Sequence, residues 1–174
     1  MQPHLVFAIA VLVFATIVVS KAAVIVPEGS AYVVEQMGRY ARTLDAGFHL
    51  LTPFLETVRA RHSLAEQALP LGAEPCRTRD DREVFVGGTL AYRVADPESA
   101  TYAVADLRDG LTAVTRHALR DAIGGVLLEE LHASRPAVEA AVVRQVQAKV
   151  TSWGIVPVRH EIADISRHQK ESHT

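Results

Sequence analysis

The chain has 174 residues, with 18 Lys plus Arg against 20 Asp plus Glu and a formal net charge of −2. Near-neutrality removes the bulk attraction that nucleic-acid binding requires. The single cysteine, Cys76, excludes an intramolecular disulfide and a cysteine-rich zinc site.

The chain opens on an uncharged, unbroken apolar run from Leu5 to Val19. Its anchor residues are Leu5, Val6, Phe7, Ile9, Val11, Leu12, Val13, Phe14, Ile17, Val18 and Val19. As a helix, fifteen positions span about 22 Å, short of the ~30 Å hydrocarbon core. Apolar character resumes at Ala22, and a helix continued to Val26 reaches about 33 Å if Lys21 snorkels to the interface. The reading is a membrane anchor over residues 1–26. The alternative is a cleaved signal peptide with Ser20-Lys21-Ala22 near the cleavage site, releasing a periplasmic or extracellular binding domain. The segment before the run carries no Lys or Arg, which disfavours that alternative. A helix buried in a soluble core is disfavoured because the run is apolar on every face. Lys21, Arg39 and Arg42 beyond the run, against none before it, orient the following domain to the cytoplasm.

Pro27-Glu-Gly-Ser30 is a turn, and Ala31 to Gln36 reads as a strand stopped by Gly38. Gly38 to Gly47 reads as a loop or loose hairpin. Phe48 to Phe54 is an apolar patch closed by Pro53. It is either a core-filling loop or a membrane-contact loop presenting Phe48, Leu50, Leu51 and Phe54. Val58, Ala60, His62 and Leu64 alternate with Arg59, Arg61 and Ser63 as a half-buried strand, which Leu69-Pro-Leu-Gly72 interrupts. From Glu83 to Val94 the alternation is clear, with Val84, Val86, Leu90, Tyr92 and Val94 on one face. Gly87-Gly88 signals a bulge or close backbone approach, and Asp80-Asp81 a hairpin turn.

Helical signals follow. Asp96-Pro97 caps a short helix to Val104, and Asp106 a second helix whose stripe is Leu107, Leu111, Val114, Ala118 and Ile123. Ser134 caps a third, with Val138, Val142, Val146, Val150 and Trp153 on one face and Gly154 at its end. Ile155 to Ile165 reads as a last strand, with Val156, Val158 and Ile162 on one side. Residues 166–174 form a polar tail without a heptad.

No nucleophile elbow, phosphate loop, dinucleotide fingerprint or His-Glu-x-x-His is present. Glu129, Glu130 and His132 do not converge on one helix face, and a solvated helix end explains them. Arg77, Arg79, Arg82 and Arg93 are interleaved with acids, as on an ordinary charged edge. No catalytic, cofactor or metal residue emerges, and no enzyme is expected.

Val26-Pro-Glu-Gly, Val33-Val-Glu-Gln-Met-Gly-Arg-Tyr40, Leu44-Asp-Ala-Gly-Phe-His-Leu and Asp96-Pro97 occur in an order and spacing that resemble a known family. Leu119-Arg-Asp-Ala-Ile-Gly124 and the stretch from Trp153 to Ile165 add to it. The chain resembles the stomatin branch of the SPFH (stomatin, prohibitin, flotillin), or band 7, superfamily. The resemblance implies an α+β fold: an N-terminal transmembrane helix, then an SPFH domain over 27–165 with a mainly β first half and a β/α second half. It also implies a homo-oligomer at the cell membrane that contacts lipid and organises membrane proteins such as proteases, channels or an NfeD-type partner. Family members usually continue into a coiled coil, whose absence here points to small assemblies.

Overall fold

The computed structural model describes residues 7, 9, 11–13, 16 and 22–166. By backbone contact the chain divides into two compact units, Met1–Ser63 and Leu64–Thr174.

The described part of the first unit is all strand beyond its leading helical residues. The strands are β1 (Ala23–Val26), β2 (Ser30–Gln36), β3 (Arg39–Leu44), β4 (Gly47–Leu50) and β5 (Glu56–Ser63). β1 and β4 make a two-stranded antiparallel ribbon, and β3-β2-β5 a three-stranded antiparallel sheet. Val26, Val34, Leu44 and Leu51 form its small core.

One expectation is corrected here, and one open choice is decided. Residues 23–26 do not extend an N-terminal helix: three consecutive β-branched residues ahead of Pro27 favour a strand, and β4 supplies the partner. For residues 38–47 the loop reading gives way to the hairpin one, because Arg39–Leu44 pairs antiparallel along β2. β5 follows its sequence pattern, alternating half-buried and exposed side chains throughout.

The second unit folds around β7 (Glu83–Val94), flanked antiparallel by β6 (Gln67–Arg77) and β8 (Ile155–Ser166). Helices α1 (Pro97–Tyr102), α2 (Leu107–Gly124) and α3 (Arg135–Val150) lie between β7 and β8 in sequence. α2 packs against β6, and α3 against β8. The core faces meet as the periodicity predicts. Val84, Val86, Leu90 and Val94 of β7 are buried with Leu111, Leu119 and Ile123 of α2 and Val138, Val142, Val146 and Val150 of α3. Each such side chain contributes about 1.5–3 kcal/mol by leaving water.

Asp96 and Asp106 cap their helices as expected, the Asp106 carboxylate accepting from Arg108 N at 2.8 Å and Asp109 N at 3.0 Å. Ser134 occupies the cap position of α3 but makes no side-chain capping bond.

Leu69 to Gly72 does not interrupt the sheet. β6 runs through Pro70, which an edge strand tolerates, and takes up the irregularity as a register shift between Leu71 and Glu74. In β8, register shifts opposite Ala91/Tyr92 and Gly87/Gly88 change which residues face inward. Ile155, Pro157, His160 and Ile162 are buried, whereas Val158 is exposed and Val156 half-buried.

Gly154 ends the α3 segment with φ +67°, and a Cβ there would run into the Asp96 carbonyl. Gly154→Ala is expected to lower the unfolding free energy by about 2–3 kcal/mol. Chemical denaturation checks this, and a loss below about 0.5 kcal/mol would refute the steric account.

Candidate functional site

The most distinctive surface of the first unit lies on the β1–β4 ribbon. Its register sets Ile25 opposite Phe48 and Ala23 opposite Leu50. Directly opposed residues share a face, and the next pair along faces the other way. Val26, and in part Val24, turn to the core, while Ala23, Ile25, Phe48 and Leu50 turn out. Ile25 is 74% exposed and Phe48 63%. Apolar side chains that packing would normally bury are therefore held in a row on the outside.

The expected contact residues separate. Phe48, Leu50 and Phe54 are exposed, which rules out the core-filling reading for them. Leu51 is corrected: at 8% exposure it belongs to the core with Val26, Val34 and Leu44. Its amide donates to the Ala22 carbonyl at 2.8 Å, fixing it at the ribbon's end. Phe48 and Leu50 also lie on a strand rather than in a loop.

Met37, a turn residue that sequence reasoning passed over, joins the expected Phe54 in extending the exposed apolar set. Met37 and Phe54 adopt left-handed backbone, with φ of 51° and 70°. That conformation costs a non-glycine residue on the order of 1–3 kcal/mol. Both side chains are highly exposed. The Met37 amide donates to the Leu55 carbonyl at 3.2 Å, bringing the two turns together. Glu56 braces the second turn by accepting from Thr52 N at 2.7 Å and from the Arg42 guanidinium at 3.1 Å. Arg42 also donates to the Leu50 carbonyl at 3.0 Å. The hint in the sequence was Gly38, whose left-handed backbone (φ 80°) closes the turn beside Met37.

The N-terminal anchor residues Phe7, Ile9, Val11, Leu12 and Val13 are helical and exposed. At about 100° per residue they fall on all sides of the helix, so no single face is turned to a protein core. Leu5, Val6, Phe14, Ile17, Val18 and Val19 lie outside the described residues, as does most of the expected 166–174 tail. Among the described residues, no helix is long and apolar enough to cross a membrane.

The second unit gathers charge rather than reactive groups. Glu74 is buried and paired with Arg116 and Arg120 from α2. Burial pushes the Cys76 thiol up to about 11, against the opposing effect of Arg120, so it stays protonated and unreactive near neutrality. Among the described residues no group of three or more His, Cys, Asp or Glu could hold a metal ion, Glu129, Glu130 and His132 included.

Residues 24–170 match the family described as SPFH domain / Band 7. The chain belongs to the SPFH/Band 7 family. An uncharacterized protein of Mycobacterium tuberculosis is 32% identical over 161 residues, 92% of this chain and 42% of that protein. Human mitochondrial stomatin-like protein 2 is 32% identical over 140 residues, 80% of this chain and 39% of that protein. A Schizosaccharomyces pombe protein is 34% identical over 140 residues, 80% of this chain and 40% of that protein. These relatives set the SPFH domain on the stomatin-like branch, with the mixed α+β build that the resemblance implied. The chain spans about two fifths of the length of the curated relatives it matches.

The two-sided ribbon gives opposite expectations for neighbouring residues. Leu51→Ala should destabilise the first unit by about 2–4 kcal/mol, through lost burial and a cavity. Phe48→Ser should stay within about 0.5 kcal/mol. Thermal unfolding of each variant compares them, and equal losses would contradict the assigned faces.

Proposed function

We propose that this chain is a membrane-anchored, stomatin-like scaffold without catalytic activity of its own. Its apolar N-terminal segment holds it at the cell membrane with the SPFH domain on the cytoplasmic side. Copies associate there and organise or regulate other membrane proteins, such as proteases, channels or an NfeD-type partner. The observation that carries the reading is the outward row of Ile25, Phe48 and Leu50 on a ribbon whose first strand begins at Ala23. Such a face loses its exposure cost when it lies in the headgroup–acyl boundary.

The strand at residues 23–26 removes those four residues from any membrane-spanning helix. The proposed anchor would run from Leu5 to Ala22 and, as a helix, span about 27 Å, which suits a bilayer slightly thinned, or one whose interface Lys21 reaches by snorkelling. Phe48, Leu50 and Phe54 then touch lipid beside the anchor.

Fractionation tests the anchor. The protein should stay with membranes through a carbonate wash, and a soluble product beginning at Ala23 would favour the released binding domain instead. Crosslinking in native membranes with mass identification should return self-linked species together with membrane-protein partners. The contact face is tested with a Phe48→Cys variant carrying an environment-sensitive fluorophore, since Cys76 is buried and escapes labelling. Its emission should shift to the blue on reconstitution into lipid vesicles, and unchanged emission would refute lipid contact at this face.

A further inference from the structure

Gly88 and His160 are fitted to one another. A Cβ at Gly88 would lie 3.1 Å from both Cε1 and Nε2 of the His160 ring, so the missing side chain makes the room the imidazole fills. His160 is only 2% exposed, and neither ring nitrogen has a hydrogen-bond partner among the described residues. A buried polar group in that state costs free energy and calls for an explanation. Beside it, α3 and β8 enclose a groove of about 430 Å³ walled by Glu139, Val143, Arg144, Val158 and Arg159, with His160 forming part of the wall.

Burial, not the charges around the ring, opposes a proton there, because the two nearby carboxylates are committed to other partners. From β7 the neighbours are Gly88 and Leu90, which do not titrate, and α2 exerts no charge effect on the ring. From α3 come Glu139 and Arg144, and from β8 itself Arg159 and Glu161. Both carboxylates are engaged. Glu139 accepts from the Ile162 amide at 2.9 Å and from Arg135 Nε at 3.2 Å, and Glu161 accepts from Arg159 Nε at 2.6 Å. Neither can turn to an imidazolium without giving up those bonds.

We propose that His160 is an acid-released latch: neutral, it seals the seam between α3 and β8 over Gly88; protonated, it leaves that niche and opens the seam toward the groove. Burial lowers the ring's proton affinity, with Glu139 and Glu161 acting in the opposite sense. The sign of the pH effect follows. An opened His160 takes up a proton near pH 6.5, whereas the closed one resists it. Above about pH 6.5 the seam is indifferent to pH. Below it, opening gains by up to tenfold per pH unit for one proton, until the closed ring also titrates.

The test uses the full chain in detergent micelles. The ring carbon and proton shifts of His160 are followed by NMR, and hydrogen-exchange protection factors of residues 135–150 and 155–166 are measured from pH 7.5 to 5. The latch requires a His160 midpoint below 6.5, with protection falling as acid is added. A midpoint at or above 6.5 overturns it, as an ordered water satisfying the ring would also produce. In His160→Leu, which keeps an apolar filling over Gly88, protection should lose its dependence on pH, and an unchanged slope overturns the proposal. Should that variant fail to fold, the NMR titration of the unaltered protein decides alone.

Discussion

The period of two along a paired strand is the constraint on which the N-terminal unit of this protein depends. In the β1–β4 ribbon nearly every side chain is apolar, so hydrophobicity does not say which ones are core. Pairing decides it. Once Ile25 stands opposite Phe48, Val26 must turn inward and Leu50 outward, and a slip of one residue would exchange the two sets. Leu51, just beyond the strand, closes the core that Val26 begins. The same few residues thus hold the unit together and give it a greasy exterior.

The two units use different means to reach stability. The first buries a handful of aliphatic side chains and braces its turns with Arg42 and Glu56. The second stacks two amphipathic helices on one sheet face and buries most of the large aliphatic residues there. The buried carboxylate of Glu74, paired with the half-exposed Arg116 and Arg120, ties α2 to β6. The desolvation of Glu74 is offset by two guanidiniums, so loss of either one leaves that buried carboxylate with less compensation.

Local chemistry was legible in the sequence, and pairing was not. Asp96 and Asp106 announce their helices because a cap needs only a carboxylate and the next few amides. The run from Val84 to Val94 reads correctly because β7 is central and regular on its core face. The motifs from Val33 to Tyr40 and from Trp153 to Ile165 carried the family. What stayed hidden depends on distant partners. A bulge near Val158 shifts the phase of β8, so alternation projected from Val156 selects the wrong face and passes over His160. Residues 23–26 read as the end of an apolar run until β4 is known to lie beside them. Likewise, Leu51 differs from Leu50 only through the register of that pair.

Proline in the rims of the second unit's sheet has one more consequence. Pro70 and Pro75 stand in β6, Pro157 in β8, and the Ile162 amide is occupied by Glu139. Those borders cannot offer an unbroken ladder of donors to an incoming strand. Bare sheet margins invite fibrillar growth, and here they are blunted against it.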